Sequence, residues 1–335
     1  MIPVCVVTGF LGAGKTTLIS AILRDPGFAR TAVIVNEFGE IGLDHELIAT
    51  ADESVLTLTT GCLCCAVQSD LVRTLLDLHR RQMKGEIAPY DRVLIETSGR
   101  ADPAPILQSL MQDLALVRTH RIDTVVTLVD ALLGAASLDA HVEARRQAML
   151  ADRLVLTKTD LAPDSAALRA RLGALNPGAD ILTATRGSIA PALLFAPAEA
   201  DARAARFAAL PPSPAPSPFA RGTHTEDVES FSLVREEPIP GLALVLLLEA
   251  LAEHCGPRLL RVKGLVRIAE APDRPTVIHG VQHVFATPEF LHRWPGADRR
   301  TRIVFIAQGV PRHFPARLLA AIEAEVLDEQ RAEGA

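Results

Sequence analysis

The chain has 335 residues, 49% hydrophobic and 22% charged, and 34 Lys+Arg against 40 Asp+Glu give a net charge of −6. At about 150 residues per domain this predicts two domains, each with enough apolar material for its own core. Mild acidity argues against binding to nucleic acid or an anionic membrane surface, and five cysteines are too few for a disulfide scaffold.

From the N-terminus, Pro3–Thr8 reads as a buried strand, with no basic leader ahead of it. It runs into Gly9-Phe10-Leu11-Gly12-Ala13-Gly14-Lys15-Thr16, a G-x-x-x-x-G-K-[ST] phosphate loop, and a helix is predicted over Lys15–Arg24. Glycines let the backbone fold around phosphate oxygens and turn N–H groups toward them. Gly12, Ala13, Gly14 and Thr17 would line that cradle with the positive end of the helix. Lys15 would neutralise the β- and γ-phosphates, and the Thr16 hydroxyl would bind Mg²⁺.

The second predicted strand, Ala32–Asn36, opens into Asn36-Glu37-Phe38-Gly39-Glu40-Ile41-Gly42-Leu43-Asp44. Glu37 and Asp44 are candidates for ordering Mg²⁺ or the attacking water, whereas Glu40 reads as part of a solvated turn. After a third strand candidate, Val55–Thr59, comes Gly61-Cys62-Leu63-Cys64-Cys65, followed by a predicted helix over Ala66–Arg81. Thiolates are soft ligands suited to Zn²⁺ or Cu(I). Cys62 and Cys64 share one side of an extended segment, and Cys65 opens the helix, where a thiol pKa is lowered. A structural zinc site takes four ligands. Two or three make an open site, suited to transfer or sensing; a redox pair of Cys62 with Cys65, or buried small side chains, are the other readings of these residues. Cys5 and Cys255 read as packing residues.

Arg92–Glu96 reads as a buried strand that ends in a carboxylate, Glu96, placed to hold Mg²⁺ directly or through water. Gly99, in Thr97-Ser98-Gly99, would let the backbone approach a γ-phosphate. Helix Ala104–Ala115, strand Thr124–Asp130, helix Ala140–Leu150 and strand Arg153–Thr157 continue the alternation. Thr157-Lys158-Thr159-Asp160 then matches the [NT]-K-x-D guanine-reading pattern. A carboxylate at Asp160 would accept the N1–H and N2 amino donors that guanine offers and adenine lacks, and the stem of Lys158 would lie over the base. Thr157 stands where many GTPases have Asn. Helix Ser165–Leu172 and strand Asp180–Thr183 close the pattern, which predicts an α/β fold: a mostly parallel sheet with helices on both faces.

Residues 196–209 are alanine-rich, and Leu210–Phe219 holds five prolines in ten residues, a run that neither helix nor central strand accepts. We therefore expect a nucleotide domain over 1–195, a linker over 196–222 and a smaller α/β domain over 223–330. In the latter, strands are predicted at Val228–Arg235, Arg258–Ile268, Val277–Val284 and Arg302–Ile306, and helices at Leu242–His254 and Ala316–Gln330. No apolar run reaches the roughly 18 residues that would cross a membrane, so the expectation is a cytoplasmic protein with reduced thiols.

Taken together, GFLGAGKTTL at 9–18, NEFGEIGLD at 36–44, GCLCC at 61–65, ETSGRADP at 96–103 and TKTD at 157–160 resemble the CobW family of P-loop GTPases. These are relatives of the urease and hydrogenase accessory GTPases. The resemblance continues through LLRVKGLV at 259–266 and HGV-x-H at 279–283. It implies a P-loop NTPase fold with a CobW-type C-terminal domain. It also implies a slow GTPase using GTP and Mg²⁺, with a transition metal, Zn²⁺ or Co²⁺, bound by Cys62, Cys64 and Cys65 and delivered to a client metalloprotein. Related GTPases often dimerise, so a homodimer is a further expected state. Many relatives carry a histidine-rich stretch near the linker or C-terminus, and this chain has alanine and proline there instead. Two other classes compete on the residues alone: a metabolic P-loop kinase or ATPase, and a nucleotide-binding metal or redox sensor without turnover.

Overall fold

A computed structural model describes residues 1–36, 66–162, 164–185, 188–195 and 228–333. Two compact units, Met1–Ala196 and Pro197–Ala335, divide the chain. Glu37, Asp44, Cys62, Cys64, Cys65, the strand expected at Val55–Thr59 and the linker expected over 196–222 lie outside the described residues.

In the first unit, the elements are β1 (Ile2–Gly9), α1 (Lys15–Leu23), β2 (Thr31–Asn36), α2 (Ala66–Met83), β3 (Arg92–Thr97), α3 (Ala104–Gln112) and α4 (Leu116–Thr119). They continue as β4 (His120–Asp130), α5 (Gly134–Ala140), α6 (Val142–Leu150), β5 (Arg153–Thr157), α7 (Ala166–Leu175) and β6 (Asp180–Thr183). The six strands form a parallel sheet in the order β2-β3-β1-β4-β5-β6. Consecutive strand residues feed opposite faces. Val155 packs with Val7, Val126 and α1 residues Leu18, Ile19 and Ile22. Its neighbours Leu154 and Leu156 pack with Leu138, Ala148, Leu168 and Leu172 from α5, α6 and α7. Both faces are covered, as the unbroken apolar strands require.

The helix expected over Ala104–Ala115 stops at Gln112, because the Asp113 carboxylate accepts hydrogen bonds from the Ala115 and Leu116 amides, both at 2.9 Å. An Asp that caps a new turn competes with continuation of the old one. The short α4 starts there, and β4 begins at His120, four residues ahead of the expected start.

The second unit holds β7 (Val228–Arg235), α8 (Gly241–Cys255), β8 (Leu259–Val266), β9 (Thr276–Val281), β10 (Val284–Phe285), β11 (Glu289–Phe290), β12 (Thr301–Gln308) and α9 (Phe314–Glu333). Its sheet is antiparallel, in the order β10-β9-β8-β12-β7, with β11 also paired to β9. Leu244, Leu247 and Leu251 of α8 and Leu319 and Val326 of α9 share one core with Phe231, Val262, Ile303 and Phe305 of the sheet. The strand expected over Val277–Val284 is instead a hairpin. Val281 faces Val284 across Gln282-His283, and Gln282 takes the left-handed φ of 55° that such a tight turn needs.

Candidate nucleotide-binding site

The C-terminal ends of four adjacent strands, β3-β1-β4-β5, carry the site, the usual ligand edge of an open parallel sheet. The register aligns them: Val7 lies beside Glu96, Gly9 beside Leu128, and Asp130 beside Thr157.

The phosphate loop leaves β1 at Gly9, whose φ is 146°; a Cβ there would sit 2.6 Å from the Leu128 carbonyl oxygen. Only glycine lets these two strands approach so closely while the chain turns. The Ala13 amide donates to the Phe10 carbonyl at 3.1 Å, and Gly14, at φ 91°, passes the chain into α1. Lys15 Nζ donates to the Gly9 carbonyl at 3.0 Å, folding its ammonium back over the loop. The Thr16 hydroxyl donates to Glu96 Oε1 at 3.2 Å, and Glu96 is buried. A hydroxyl and a carboxylate so close together at the head of a phosphate loop are hard oxygen donors, and they fit Mg²⁺.

Gly99 lies against the phosphate loop. A Cβ on it would come within 2.7 Å of the Leu11 side chain and 2.9 Å of the Leu11 amide nitrogen. The loop after β3 is therefore seated directly on the loop after β1.

The third part is the Thr157–Asp160 loop. The buried Thr157 hydroxyl donates to the Ala13 carbonyl at 2.9 Å. This threonine thus ties the loop after β5 to the phosphate loop. Lys158 takes a left-handed φ of 55°, and the Leu161 amide closes the turn on its carbonyl at 3.0 Å. Asp160 is exposed in this turn. Lys158 Nζ lies 2.6 Å from Asp130 Oδ2. Asp130 Oδ1 in turn accepts the Leu132 and Leu133 amides at 2.8 and 3.2 Å. Burial alone would raise the Asp130 pKa, but the Lys158 ammonium and the two amides outweigh it and hold the carboxyl below its ordinary value. Asp130 belongs to none of the sequence motifs. Its sequence signal is an acid at the end of an apolar strand, the same signal that marks Glu96.

The structure thus brings Gly12, Ala13, Gly14, Lys15, Thr16, Thr17, Glu96, Gly99, Thr157, Lys158 and Asp160 to one edge of the sheet. Among the described residues no group of three or more His, Cys, Asp or Glu is arranged to hold a metal ion. Cys5 and Cys255 are buried and free, and burial raises both thiol pKa values, as for packing residues.

A phosphate loop, a buried acid on the neighbouring strand and a T-K-x-D turn, all at one edge of a parallel sheet, define a P-loop nucleotide-binding protein. Residues 3–183 match the family model described as CobW/HypB/UreG, nucleotide-binding domain, and residues 228–323 match the cobalamin synthesis protein cobW C-terminal domain. The chain belongs to the CobW family.

Among relatives, the zinc chaperone YjiA of Escherichia coli (strain K12) is 34% identical over 310 residues, covering 92% of this chain and 95% of that protein. The zinc-regulated GTPase metalloprotein activator 1 of Schizosaccharomyces pombe is 34% identical over 197 residues, covering 56% of this chain and 47% of that protein. The crystal structure of the Zn(II)-bound YjiA GTPase from E. coli superimposes with a TM-score of 0.72 at 30% identity, covering 96% of this chain and 98% of that one.

Proposed function

We propose that the protein is a GTP-binding and GTP-hydrolysing metallochaperone that couples nucleotide state to the binding and transfer of a transition metal, zinc, to a client metalloprotein. The observation that carries this reading is the seating of a T-K-x-D loop on the phosphate loop through Thr157 and Ala13, in a chain of the CobW family. The names of its relatives supply zinc as the metal.

In this reading Gly12, Ala13, Gly14 and Thr17 cradle the phosphates and Lys15 neutralises the β- and γ-oxygens. Thr16 and Glu96 would hold Mg²⁺, which supplies charge neutralisation on the triphosphate. Thr157 holds the base loop in place, Lys158 covers the guanine face, and Asp160 accepts its N1–H and N2 donors. Gly99 admits the γ-phosphate against the backbone. Glu37 and Asp44 are assigned to ordering the attacking water, and Cys62, Cys64 and Cys65 to the metal. The GTP-bound protein holds zinc tightly and the GDP-bound protein releases it. By linkage, zinc shifts the preference between the two nucleotides by the same factor.

Residues 196–222 serve as the linker between a nucleotide domain over 1–195 and a C-terminal domain over 223–330; the two family matches, ending at 183 and resuming at 228, support this. Thiolate ligands need a reducing compartment, which supports a cytoplasmic setting. A homodimer is the further association we propose, read by light scattering with and without GTP analogue.

The test measures zinc affinity of the full chain with a GTP analogue and with GDP, alongside Cys64→Ala. At least about a fivefold difference is expected, abolished by the cysteine variant. Equal zinc affinities in the two nucleotide states would overturn the coupling, and a preference for ATP over GTP would overturn the assignment of Asp160.

A further inference from the structure

The fully buried Gln147 of α6 lies outside every motif of the nucleotide site. Its Nε2 donates to the carbonyls of Gly99 and Ala101, at 3.2 and 2.9 Å. Two carbonyl neighbours dictate that the amide nitrogen faces them. One residue earlier, Arg146 Nη1 lies 3.0 Å from Asp102 Oδ2, and Asp102 Oδ1 accepts the Ala104 amide at 2.9 Å. Side chains from two consecutive residues of α6 therefore hold residues 99–102 at three points.

The helix is itself pinned. The Gln147 carbonyl accepts the Thr127 hydroxyl at 2.8 Å. Asn176 Nδ2 donates to the carbonyls of Ala148, Met149 and Ala151 at 2.9–3.0 Å. On its other side the 99–102 segment meets the phosphate loop, through the contact of Gly99 with Leu11. A loop gripped between a fixed helix and the phosphate loop has few ways to move.

We infer that Gln147, assisted by Arg146, is a positioning residue that sets the discrimination between GTP and GDP by fixing the Gly99–Asp102 segment against the phosphate loop. The inference rests on the proposed reading of Gly99 as the neighbour of the γ-phosphate. A γ-phosphate meets that segment and the β-phosphate does not. Loosening the segment therefore weakens GTP binding and leaves GDP binding in place. A role in packing alone would instead lower thermal stability and weaken both nucleotides together.

The test compares the affinities of the full chain for a non-hydrolysable GTP analogue and for GDP. Gln147→Met keeps the volume and removes both donations. Loss of two neutral hydrogen bonds predicts a fall of about tenfold in the GTP-analogue to GDP affinity ratio, with GDP affinity within about twofold of wild type. Arg146→Met removes only the partly exposed ion pair and predicts a fall of about twofold in the same ratio. An unchanged ratio in folded Gln147→Met overturns the inference. If that variant does not fold, an unchanged ratio in Arg146→Met does so. Lys15→Ala separates the two levels of the argument. If it still binds both nucleotides normally, the nucleotide-site reading fails. If it loses both while Gln147→Met keeps the wild-type ratio, the inference about Gln147 fails alone.

Discussion

Asp130→Asn isolates one interaction of the base loop. The variant keeps Oδ1, and with it the bonds from the Leu132 and Leu133 amides. It replaces Oδ2, 2.6 Å from Lys158 Nζ, by an amide that faces the ammonium. A hydrogen bond between charged partners contributes about 1.5–3 kcal/mol. The Lys158 side chain is 38% exposed while the Asp130 carboxylate is 9% exposed, so solvent screening on the lysine side reduces the figure to about 1 kcal/mol. Freed of its tether, Lys158 must be ordered again whenever a base binds. Base contacts are common to both nucleotides, so GTP and GDP should each bind about fivefold more weakly, with their ratio unchanged. This is the opposite signature to Gln147→Met. Titration of fluorescent GDP and GTP-analogue probes reads both affinities. If Asp130→Asn binds both within twofold of wild type, or loses only GTP, the reasoning about Lys158 is wrong.

Two further outcomes are expected. Thr157→Val leaves the Ala13 carbonyl without its hydroxyl donor in a buried setting. It should lower unfolding free energy by about 1–3 kcal/mol, measured in urea, and weaken both nucleotides; an unchanged stability would mean that the Thr157 tie carries nothing. His120 is buried, and burial, aided by His79 and the N-terminal ammonium, pushes its pKa down to about 4. The folded imidazole thus stays neutral while the unfolded one takes a proton near pH 6.5. Its contribution is complete above that value and is lost as pH falls toward 4, by about 3 kcal/mol in all. Urea unfolding at pH 7.5 and 4.5 should show the gap between wild type and His120→Asn changing by an amount of that order in favour of the variant as pH falls, and a constant gap would refute the assignment.

Much of this protein is legible along the chain because local chemistry dictates it. Gly9, Gly12 and Gly14 stand where the backbone takes a positive φ, which glycine adopts at the least steric cost. Apolar strands alternating with helices dictate a parallel sheet covered on both faces, and the T-K-x-D spacing matches the guanine-reading pattern. Periodicity did not reveal where α3 breaks, because that is decided by the Asp113 side chain bonding to backbone two and three residues on.

Tertiary structure decided which polar groups from distant positions meet. Asp130 lies 28 residues before Lys158, and Gln147 nearly fifty after Gly99; in sequence Asp130 is a lone acid at the end of an apolar strand and Gln147 one more polar residue after Arg145 and Arg146. The hydroxyl of Thr157 is in the same position. By residue type it lacked an amide contact, and only the approach of the loops after β1 and β5 turns it into a donor to Ala13. The Lys158 and Thr157 contacts arise because a parallel sheet lays the ends of its strands side by side, and the Gln147 contact because a helix covering that sheet packs beside the loop after β3, whatever their separation along the chain.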